Sequence, residues 1–449
     1  MELDAKVRRA MRAYAIPGVA VGLIADGKEY VQGYGVTNVD YPVRVDGNTV
    51  FRINSSTKTF TGTTVMRLVD QGKVDLDAPV RRYLPDFTTS DAAASARVTV
   101  RQLLNHSAGW LGDDLRDYGP GDDALARFVA GMRGLPQLTP PGTTFAYNNA
   151  AIDVAGRIIE VVNGSTYEAA VKKLLLEPLG LTHSRFFGDE IVGFNVAASH
   201  KLVKCKPVVD PALWPIPRSN GPTGNLLSSA RDQVRYARFH LGDGRAADGT
   251  RLMSDASLKS MRSRPGPGGT LVVELDGMGV TWMLRPSAEG VRVVQHGGAG
   301  AGQPSGFIMV PSRGFALTVL TNSDGGSRLI EELFYSDWAL QRFAGVSNLP
   351  ATPTALTPDQ LAPYEGRYVA QAISEAGEQL EIALEFRQRD GQLRETTTGE
   401  LGVAFYRPDY GLELDTTGKP IGTRCDFLRG PDGGVLWWRR KGRLYRHQQ

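Results

Sequence analysis

Ser55 and Lys58 are the first pair of residues in this chain whose spacing could support nucleophilic catalysis. Side chains three positions apart lie on the same side of a helix, one turn from each other. A serine hydroxyl becomes a good nucleophile when a base removes its proton, and a lysine amine can be that base if its environment lowers its pKa. The simpler interpretation of the pair is an N-cap serine followed by a surface lysine.

A second candidate segment, Tyr147-Asn-Asn149, follows Pro140-Pro-Gly142 and begins a predicted helix. A phenol beside an ammonium group can transfer a proton, and a carboxamide can orient both the phenol and a substrate. The structural alternative is a helix N-cap formed by Asn148 or Asn149.

A third segment, His296-Gly-Gly298, follows the predicted strand over 291–295. Two glycines at a strand end let a substrate backbone lie close to the strand edge. A free backbone N–H at that point can complete an oxyanion hole. The alternative is a tight turn with a surface histidine. Each segment alone is a weak signal, but their joint occurrence in this order predicts one active site built from three distant parts of the chain.

The elements that must position these residues are strands first, helices in the middle, then strands and a closing helix. The apolar run Gly18–Ala25, the turn signal Asp26-Gly27 and the segment 28–34 predict an N-terminal β-hairpin. Helical periodicity is found over 55–71, 122–132, 148–162, 229–241 and 327–343, and strands are predicted over 291–295, 306–310 and 315–321. This order indicates an α+β fold, in which the early hairpin and the late strands share one antiparallel sheet covered by helices, with a helical subdomain.

The tail of the chain has a different pattern. Three prolines and several threonines over 347–361 predict a linker between a first domain, 1–346, and a second domain, 362–449. In the tail Leu380, Ile382, Leu384 and Phe386 alternate with other residues, and Asp390-Gly391 is a turn signal. About 90 residues of short strands are typical of a small all-β barrel.

Composition excludes several classes of protein. The 449 residues contain 51 Lys and Arg against 48 Asp and Glu, a net charge of +3, which is too small to favour nucleic acid or an anionic membrane as a partner. Two cysteines, Cys205 and Cys425, exclude a disulfide scaffold and a Cys-based zinc cluster, and we expect two inert thiols. The sequence predicts neither a metal site nor a cofactor, and it leaves the oligomeric state open.

The remaining sequence features predict location and structural roles. The longest strand-like apolar run is too short to span a bilayer, and the first residues lack a signal-peptide pattern, so we expect a soluble, cytoplasmic protein. His106 is expected to be a structural turn residue. A loop with five aspartates, Asp113, Asp114, Asp117, Asp122 and Asp123, lacks the spacing of a calcium loop and is expected to be solvated.

Taken together, these segments resemble the serine β-lactamase and penicillin-binding-protein superfamily, in particular its class C β-lactamase-like branch. The resemblance is carried by 51–60 with its Ser-x-x-Lys motif, by 98–110, by 147–149 and by 306–321, and it covers about residues 10–345. That branch includes esterases, D-amino-acid peptidases and peptide-cyclising thioesterases. The tail with Tyr364-Glu-Gly-Arg-Tyr368 resembles the lipocalin-like β domain attached to some members.

The resemblance implies a role for each candidate residue. Ser55 is expected to be the acylated nucleophile, with Lys58 and Tyr147 as acid and base. Asn149 is expected to contact Lys58 and the substrate amide. The resemblance also implies an oxyanion hole from the backbone N–H groups of Ser55 and Ala299. Gly297 and Gly298 are expected to contact the substrate, and Trp110 is expected to line the site entrance, with a packing role as the alternative.

The chain departs from the family at His296, which stands where the family's Lys-Thr-Gly motif has its lysine. Because a histidine is mostly neutral near pH 7, the permanent cation that meets a β-lactam or peptide carboxylate is missing. We therefore expect a serine hydrolase or acyltransferase that acts on esters, amides or D-amino-acid peptides, with water or an amine as acceptor. The alternatives are a β-lactamase, and a penicillin-binding receptor or non-catalytic binding module. In each case the partner is a small molecule or peptide.

Overall fold

The computed structural model describes residues 2–214, 216–263, 265–389, 391–399 and 401–448. The strands up to residue 321 are β1 Gly18–Ala25, β2 Lys28–Gly35, β3 Val50–Arg52, β4 His200–Val203, β5 Lys206–Val209, β6 Leu227–Ser229, β7 Gly269–Thr270, β8 Glu274–Leu275, β9 Gly277–Met278, β10 Met283–Arg285, β11 Val293–Gly298, β12 Ser305–Val310 and β13 Phe315–Thr321. The tail strands are β14 Gly366–Ile373, β15 Gln379–Arg389, β16 Gln392–Glu395, β17 Gly402–Arg407, β18 Tyr410–Leu414, β19 Pro420–Arg429, β20 Val435–Arg440 and β21 Arg443–Gln448.

The helices are α1 Glu2–Ala13, α2 Thr57–Asp70, α3 Ala92–Arg97, α4 Val100–Leu104, α5 Ala124–Gly131, α6 Asn149–Asn163, α7 Tyr167–Val171, α8 Gly221–Gly224, α9 Ala230–Leu241, α10 Asp255–Ser260, α11 Gly326–Ile330, α12 Trp338–Ala344 and α13 Pro358–Leu361. Among the described residues, none of the helices combines the length and the apolar character needed to cross a lipid bilayer.

A seven-stranded sheet forms the centre of the larger part of the chain, in the order β2-β1-β13-β12-β11-β10-β9. Neighbouring strands are antiparallel, and Val19 of β1 lies opposite Thr321 of β13. The turn between β1 and β2 has positive φ at both Asp26 (50°) and Gly27 (69°), as a tight hairpin turn requires. The predicted α+β fold, with the early hairpin and late strands in one sheet, is confirmed.

Helices cover both faces of this sheet because the side chains of β1 alternate between two cores. Val19 and Val21 pack with α1, α11 and α12 on one face, whereas Ala20 and Ile24 pack with α2, α6 and α9 on the other. The predicted helix over 327–343 is wrong in one respect, because Ser336 has an extended backbone and separates a π-helical turn, Glu331–Tyr335, from α12. Buried Arg285 donates to the carbonyl of Phe334 at this break (2.7 Å).

The tail strands β14 to β21 close into an eight-stranded antiparallel barrel, as the sequence predicts. Its interior is filled by aromatic side chains, among them Tyr368, Phe386, Phe405, Phe427 and Trp438. The alternating pattern in β15 predicts burial correctly only at its end: Leu380 and Ile382 are exposed, whereas Leu384 packs against the barrel core and Phe386 is part of it. The division of the chain at 347–361 stays a prediction.

The Asp390-Gly391 turn and the two cysteines are the other features predicted from the sequence. The predicted turn at Asp390-Gly391 begins at Asp390, which lies outside the described residues. Cys205 is exposed and Cys425 is buried in the barrel, and both are free thiols.

Buried arginines of the barrel join it to the larger part of the chain. Arg439 and Asp426 are both 3% exposed and paired, and Arg439 also donates to the carbonyl of Phe145, two residues before Tyr147 (2.7 Å). Arg424 pairs with Glu274 in the short β7–β8 hairpin (2.6 Å). Because buried charges are stable only when paired, these contacts specify how the barrel sits on the loops beside it.

The end of β11 touches the 3₁₀ turn Asn54–Ser56 that leads into α2. A Cβ atom at Gly298 would lie 2.2 Å from the carbonyl oxygen of Ile53, and one at Gly300 would lie 2.1 Å from Oδ1 of Asn54. Glycine is therefore needed at these positions so that the strand end and the turn that contains Ser55 can approach each other.

Gly298→Ala is expected to lower the free energy of unfolding by about 1–3 kcal/mol, because the new methyl group overpacks a backbone contact. Denaturant unfolding monitored by tryptophan fluorescence measures this change. The matched control is Gly134→Ala, where no atom lies within 4 Å of the new Cβ. An equal effect of both substitutions would contradict the close approach.

Arg439→Met is expected to lower the free energy of unfolding by about 3–5 kcal/mol, because it leaves the buried Asp426 carboxylate without its partner. The control, Arg367→Met, removes one arginine of a pair in which both side chains are 52% exposed, and is expected to cost less than about 1 kcal/mol. Similar unfolding midpoints for the two variants would show that the Arg439 pair does not anchor the barrel.

Candidate active site

Ser55 lies in the 3₁₀ turn Asn54–Ser56, directly before α2. Asn54 has a positive φ of 47°, and its side chain is held by Arg52 (3.1 Å) and by the carbonyl of Gln303 (2.7 Å). This strained turn places Ser55 at the helix N-terminus, where backbone N–H groups and the helix dipole favour negative charge.

Lys58 lies one helical turn after Ser55 and is fully buried. Its Nζ atom donates to Oγ of Ser55 (3.0 Å) and to the carbonyl oxygen of Thr223 in α8 (2.9 Å). The ring centre of Tyr147 is 5.1 Å from the same nitrogen, within the range of a cation–π contact. The pair predicted from the sequence is thus a direct contact in a site shielded from water, and Lys58 is not a surface residue.

Tyr147 is 7% exposed and lies in the loop that precedes α6. Its ring stacks on His106 (4.5 Å between ring centres) and lies 6.2 Å from the ring of His296. Within the described part of the chain, the hydroxyl of Tyr147 has no hydrogen-bond partner, so it is available to a substrate. His106 has a positive φ of 56° and accepts a hydrogen bond at Nδ1 from the backbone N–H of Asn148 (3.0 Å), as expected of a structural turn residue.

His296 is buried at the end of β11, with 1% of its surface exposed. Its Nδ1 atom is 2.8 Å from the carbonyl oxygen of Gly297, so Nδ1 carries the proton and Nε2 is left as an acceptor. Nε2 is buried and has no hydrogen-bond partner among the described residues. Burial and then the nearby charge of Lys58 lower the pKa of His296 to about 3, so the imidazole is neutral near pH 7.

Asn149 is the first residue of α6, and its side chain points to a partner that the sequence did not indicate. Its Nδ2 atom donates to Oδ1 of Asp113 (2.8 Å), whereas the hydrogen bonds of Lys58 go to Ser55 and Thr223. The expected contact between Asn149 and Lys58 is therefore not among the hydrogen bonds of the described residues. Asn148 provides the helix cap, since its Oδ1 accepts from the N–H of Ala151 (2.8 Å).

The predicted oxyanion groups lie on two segments that touch each other. Ala299 stands between Gly298 and Gly300, both of which contact Asn54, the residue before Ser55. A Cβ atom at Gly297 would lie 3.7 Å from the hydroxyl of Tyr335, which places this glycine beside a second phenol. The oxyanion role of the N–H groups of Ser55 and Ala299 stays a prediction.

Trp110 does not line the cleft. The indole is 1% exposed and packs on Phe87 in the helical core (5.5 Å between ring centres). Its carbonyl oxygen accepts from Nδ2 of Asn148 (2.7 Å), so Trp110 supports the segment that carries Tyr147 and Asn149. The packing alternative for Trp110 is therefore the one that the structure shows, since burial in the core stabilises a large apolar ring.

Sequence reasoning missed three residues of the site: Thr223, Asp113 and Arg443. Asp113 was assigned to a solvated loop, but its carboxylate binds Asn149 and Arg443, and Asp114 beside it is fully buried in a pair with Arg116 (2.6 Å). Thr223 contributes a backbone carbonyl, which leaves no signature in a sequence. In the residues that the structure covers, no group of three or more His, Cys, Asp or Glu side chains could hold a metal ion.

Comparisons with known proteins agree with this geometry. A family model described as Beta-lactamase matches residues 3–340. Penicillin-binding protein 4 of Amycolatopsis lactamdurans is 38% identical over 359 residues, which is 79% of this chain and 93% of that protein.

Solved structures give the same result. The crystal structure of SurE has a TM-score of 0.76 and 26% identity, covering 99% of this chain and 98% of that chain. A class C β-lactamase from Rhodobacter sphaeroides shares the fold, with a TM-score of 0.58 and 21% identity over 73% of this chain and 98% of that chain. The resemblance to the serine β-lactamase and penicillin-binding-protein superfamily is thereby confirmed, with a class C β-lactamase among the structures that share the fold, and this chain belongs to the beta-lactamase family of serine hydrolases and penicillin-binding proteins.

Proposed function

We propose that this protein is a serine hydrolase or acyltransferase that forms an acyl-enzyme on Ser55. Its substrates are esters, amides or peptides with a D-amino acid. The observation that carries this proposal is the contact between Nζ of the buried Lys58 and Oγ of Ser55, at 3.0 Å. An amine excluded from water and in contact with a hydroxyl is an arrangement suited to removing the hydroxyl proton.

In the first half-reaction, Oγ of Ser55 attacks the substrate carbonyl carbon while its proton passes to Lys58 and Tyr147, which together act as the base. The negative charge that develops on the carbonyl oxygen is stabilised by the backbone N–H groups of Ser55 and Ala299. Tyr147 then donates a proton to the leaving oxygen or nitrogen as the bond to carbon breaks. In the second half-reaction, water or an amine attacks the carbonyl carbon of the Ser55 ester and gives up a proton to Lys58 and Tyr147. The bond from that carbon to Oγ breaks, and the same two residues return a proton to Oγ of Ser55.

His296 supports the choice of substrate class. A neutral imidazole in the place of the family lysine offers Nε2 as an acceptor and provides no cation for a carboxylate. Substrates that carry an N–H or O–H group at this position, and no carboxylate, match that acceptor. SurE, which shares the fold and covers nearly the whole chain, has been crystallised with D-Leu, and this favours a D-configured residue at the reactive carbonyl or at the acceptor.

A penicillin-binding receptor is the second candidate function. It is favoured by the similarity to Penicillin-binding protein 4, at 38% identity over most of both chains. A receptor would be acylated by a β-lactam and would lose the acyl group only slowly. A β-lactamase would instead hydrolyse the acyl-enzyme and release the product in each turnover. The neutral His296 argues against rapid turnover of substrates that carry the β-lactam carboxylate.

The acyl-enzyme is tested by incubating the protein with a p-nitrophenyl ester, with D-amino-acid amides and with nitrocefin, and by measuring the intact mass. We expect turnover of the ester or a D-amino-acid amide, and loss of both turnover and mass increase in Ser55→Ala. The control is Ser56→Ala at the neighbouring position. Stable labelling by nitrocefin without turnover would support the receptor, and a wild type that shows neither labelling nor turnover would contradict the proposal and point to a non-catalytic binding module.

The low pKa of His296 predicts a pH dependence of stability. In the unfolded chain histidine binds a proton below its ordinary pKa near 6.5, but folded His296 binds one only near pH 3, so stability decreases as pH falls between these values. Removing the imidazole of His296 is expected to reduce the slope of the unfolding free energy against pH by about 1.4 kcal/mol per pH unit. Unfolding free energies of the wild type and His296→Asn between pH 4 and 6 measure it, and equal slopes would contradict a neutral His296.

A further inference from the structure

The turn between the last two barrel strands, β20 and β21, lies against Tyr147. Lys441 and Gly442 form this turn with positive φ values of 47° and 76°. The carbonyl oxygen of Gly442 accepts the backbone N–H of Tyr147 (2.8 Å). A Cβ atom at Gly442 would lie 2.9 Å from Cβ of Tyr147, so a residue without a side chain is required for this contact.

Arg443, the residue after this turn, contacts two parts of the active site. Its Nε and Nη2 atoms donate to the two carboxylate oxygens of Asp113 (2.9 and 3.0 Å). Its guanidinium carbon lies 4.5 Å from the ring centre of Tyr147. Because Asp113 also accepts from Nδ2 of Asn149 (2.8 Å), Arg443 acts on Tyr147 directly and on Asn149 through the carboxylate.

The barrel also holds the main chain of the Asp113 loop. At the end of β14, the backbone N–H of Ile373 donates to the carbonyl of Asp113 (2.8 Å), and the carbonyl of Ile373 accepts from the N–H of Leu115 (3.0 Å). Two separate strands of the barrel therefore hold the loop of Asp113. β14 binds it through the backbone of Ile373, and β21 binds it through the side chain of Arg443.

We propose that Arg443 is a positioning residue for catalysis, and that the β20–β21 turn which carries it is part of the active site. This inference rests on the proposed function. Each of the three guanidinium nitrogens already donates within the protein, since Nη1 binds the carbonyl of Lys441 (3.1 Å). These contacts hold the guanidinium in place, so we infer that Arg443 orients Tyr147 and Asn149. Its bidentate and stacked geometry is one that a lysine cannot reproduce.

The charge of Arg443 also keeps Asp113 ionised. Burial acts to raise the pKa of Asp113, but Arg443 and the hydrogen bond from Asn149 lower it below the ordinary value, with Lys58 as the other nearby charge. Without Arg443, burial is opposed only weakly, so Asp113 is protonated at a higher pH. Since a protonated carboxyl holds Asn149 less firmly, the acid limb of the activity profile then moves to higher pH.

The test compares Arg443→Gln and Arg443→Lys in the full chain with Arg446→Gln, an exposed arginine on the same strand. We expect Arg443→Gln to lower kcat by about 10²-fold with little change in KM, because misplacement of reacting groups has effects of this size. Arg443→Lys should recover only a part of the loss, and the acid limb should shift upward in Arg443→Gln alone.

Asp113→Asn removes the carboxylate that binds Arg443 and Asn149, and it tests the same ion pair if Arg443→Gln fails to fold. It is expected to lower kcat, and combining it with Arg443→Gln should add little. Wild-type kcat in both variants would overturn the proposal, and so would a raised KM at unchanged kcat, which would make Arg443 a substrate ligand. Activity of Ser55→Ala is measured in parallel, since activity retained there would overturn the proposed function itself.

Discussion

The complete burial of Lys58 is the constraint on which the rest of the site depends. A lysine amine removed from water requires partners at close range, and here Ser55, a backbone carbonyl at Thr223 and the ring of Tyr147 surround it. Its charge acts on the neighbouring imidazoles, because after burial it is the next cause that lowers the pKa of both His106 and His296. Burial, with the charge of Lys58 as the second cause, thus keeps both histidines neutral, so that they are acceptors or structural groups instead of cations.

The central sheet places the other residues of the site around Lys58. β11 carries His296 to its end, and the glycines after it allow contact with the turn that contains Ser55. Two segments separated by about 240 residues are brought together in this way, because the glycines let the strand end pack closely on the turn. The loop of Tyr147 approaches from the helical side, where His106 supports its ring.

Much of this arrangement could be predicted from the sequence where the cause is local. The Asp26-Gly27 turn, the helix that begins after Ser55 and the barrel strands follow from turn chemistry and periodicity. The acidic loop could not be interpreted correctly, because the partner of Asp113 lies 330 residues further along the chain, in a strand without a recognisable motif. Trp110 and Leu380 show the same limit, since burial depends on what packs against a side chain and is not a property of the residue alone.

The barrel explains why so many charged side chains meet beside the active-site loops. Paired charges in a buried interface add little net stability, but an incorrectly docked barrel would leave several of them unpaired at once. Arg439 at Phe145, Arg424 at Glu274 and Arg443 at Asp113 each lie beside a loop that borders Tyr147. Together they allow one docked geometry, and the same geometry places the β20–β21 turn against the tyrosine. In this chain, the contacts that fix the position of the barrel are therefore also the contacts that fix the active-site loops.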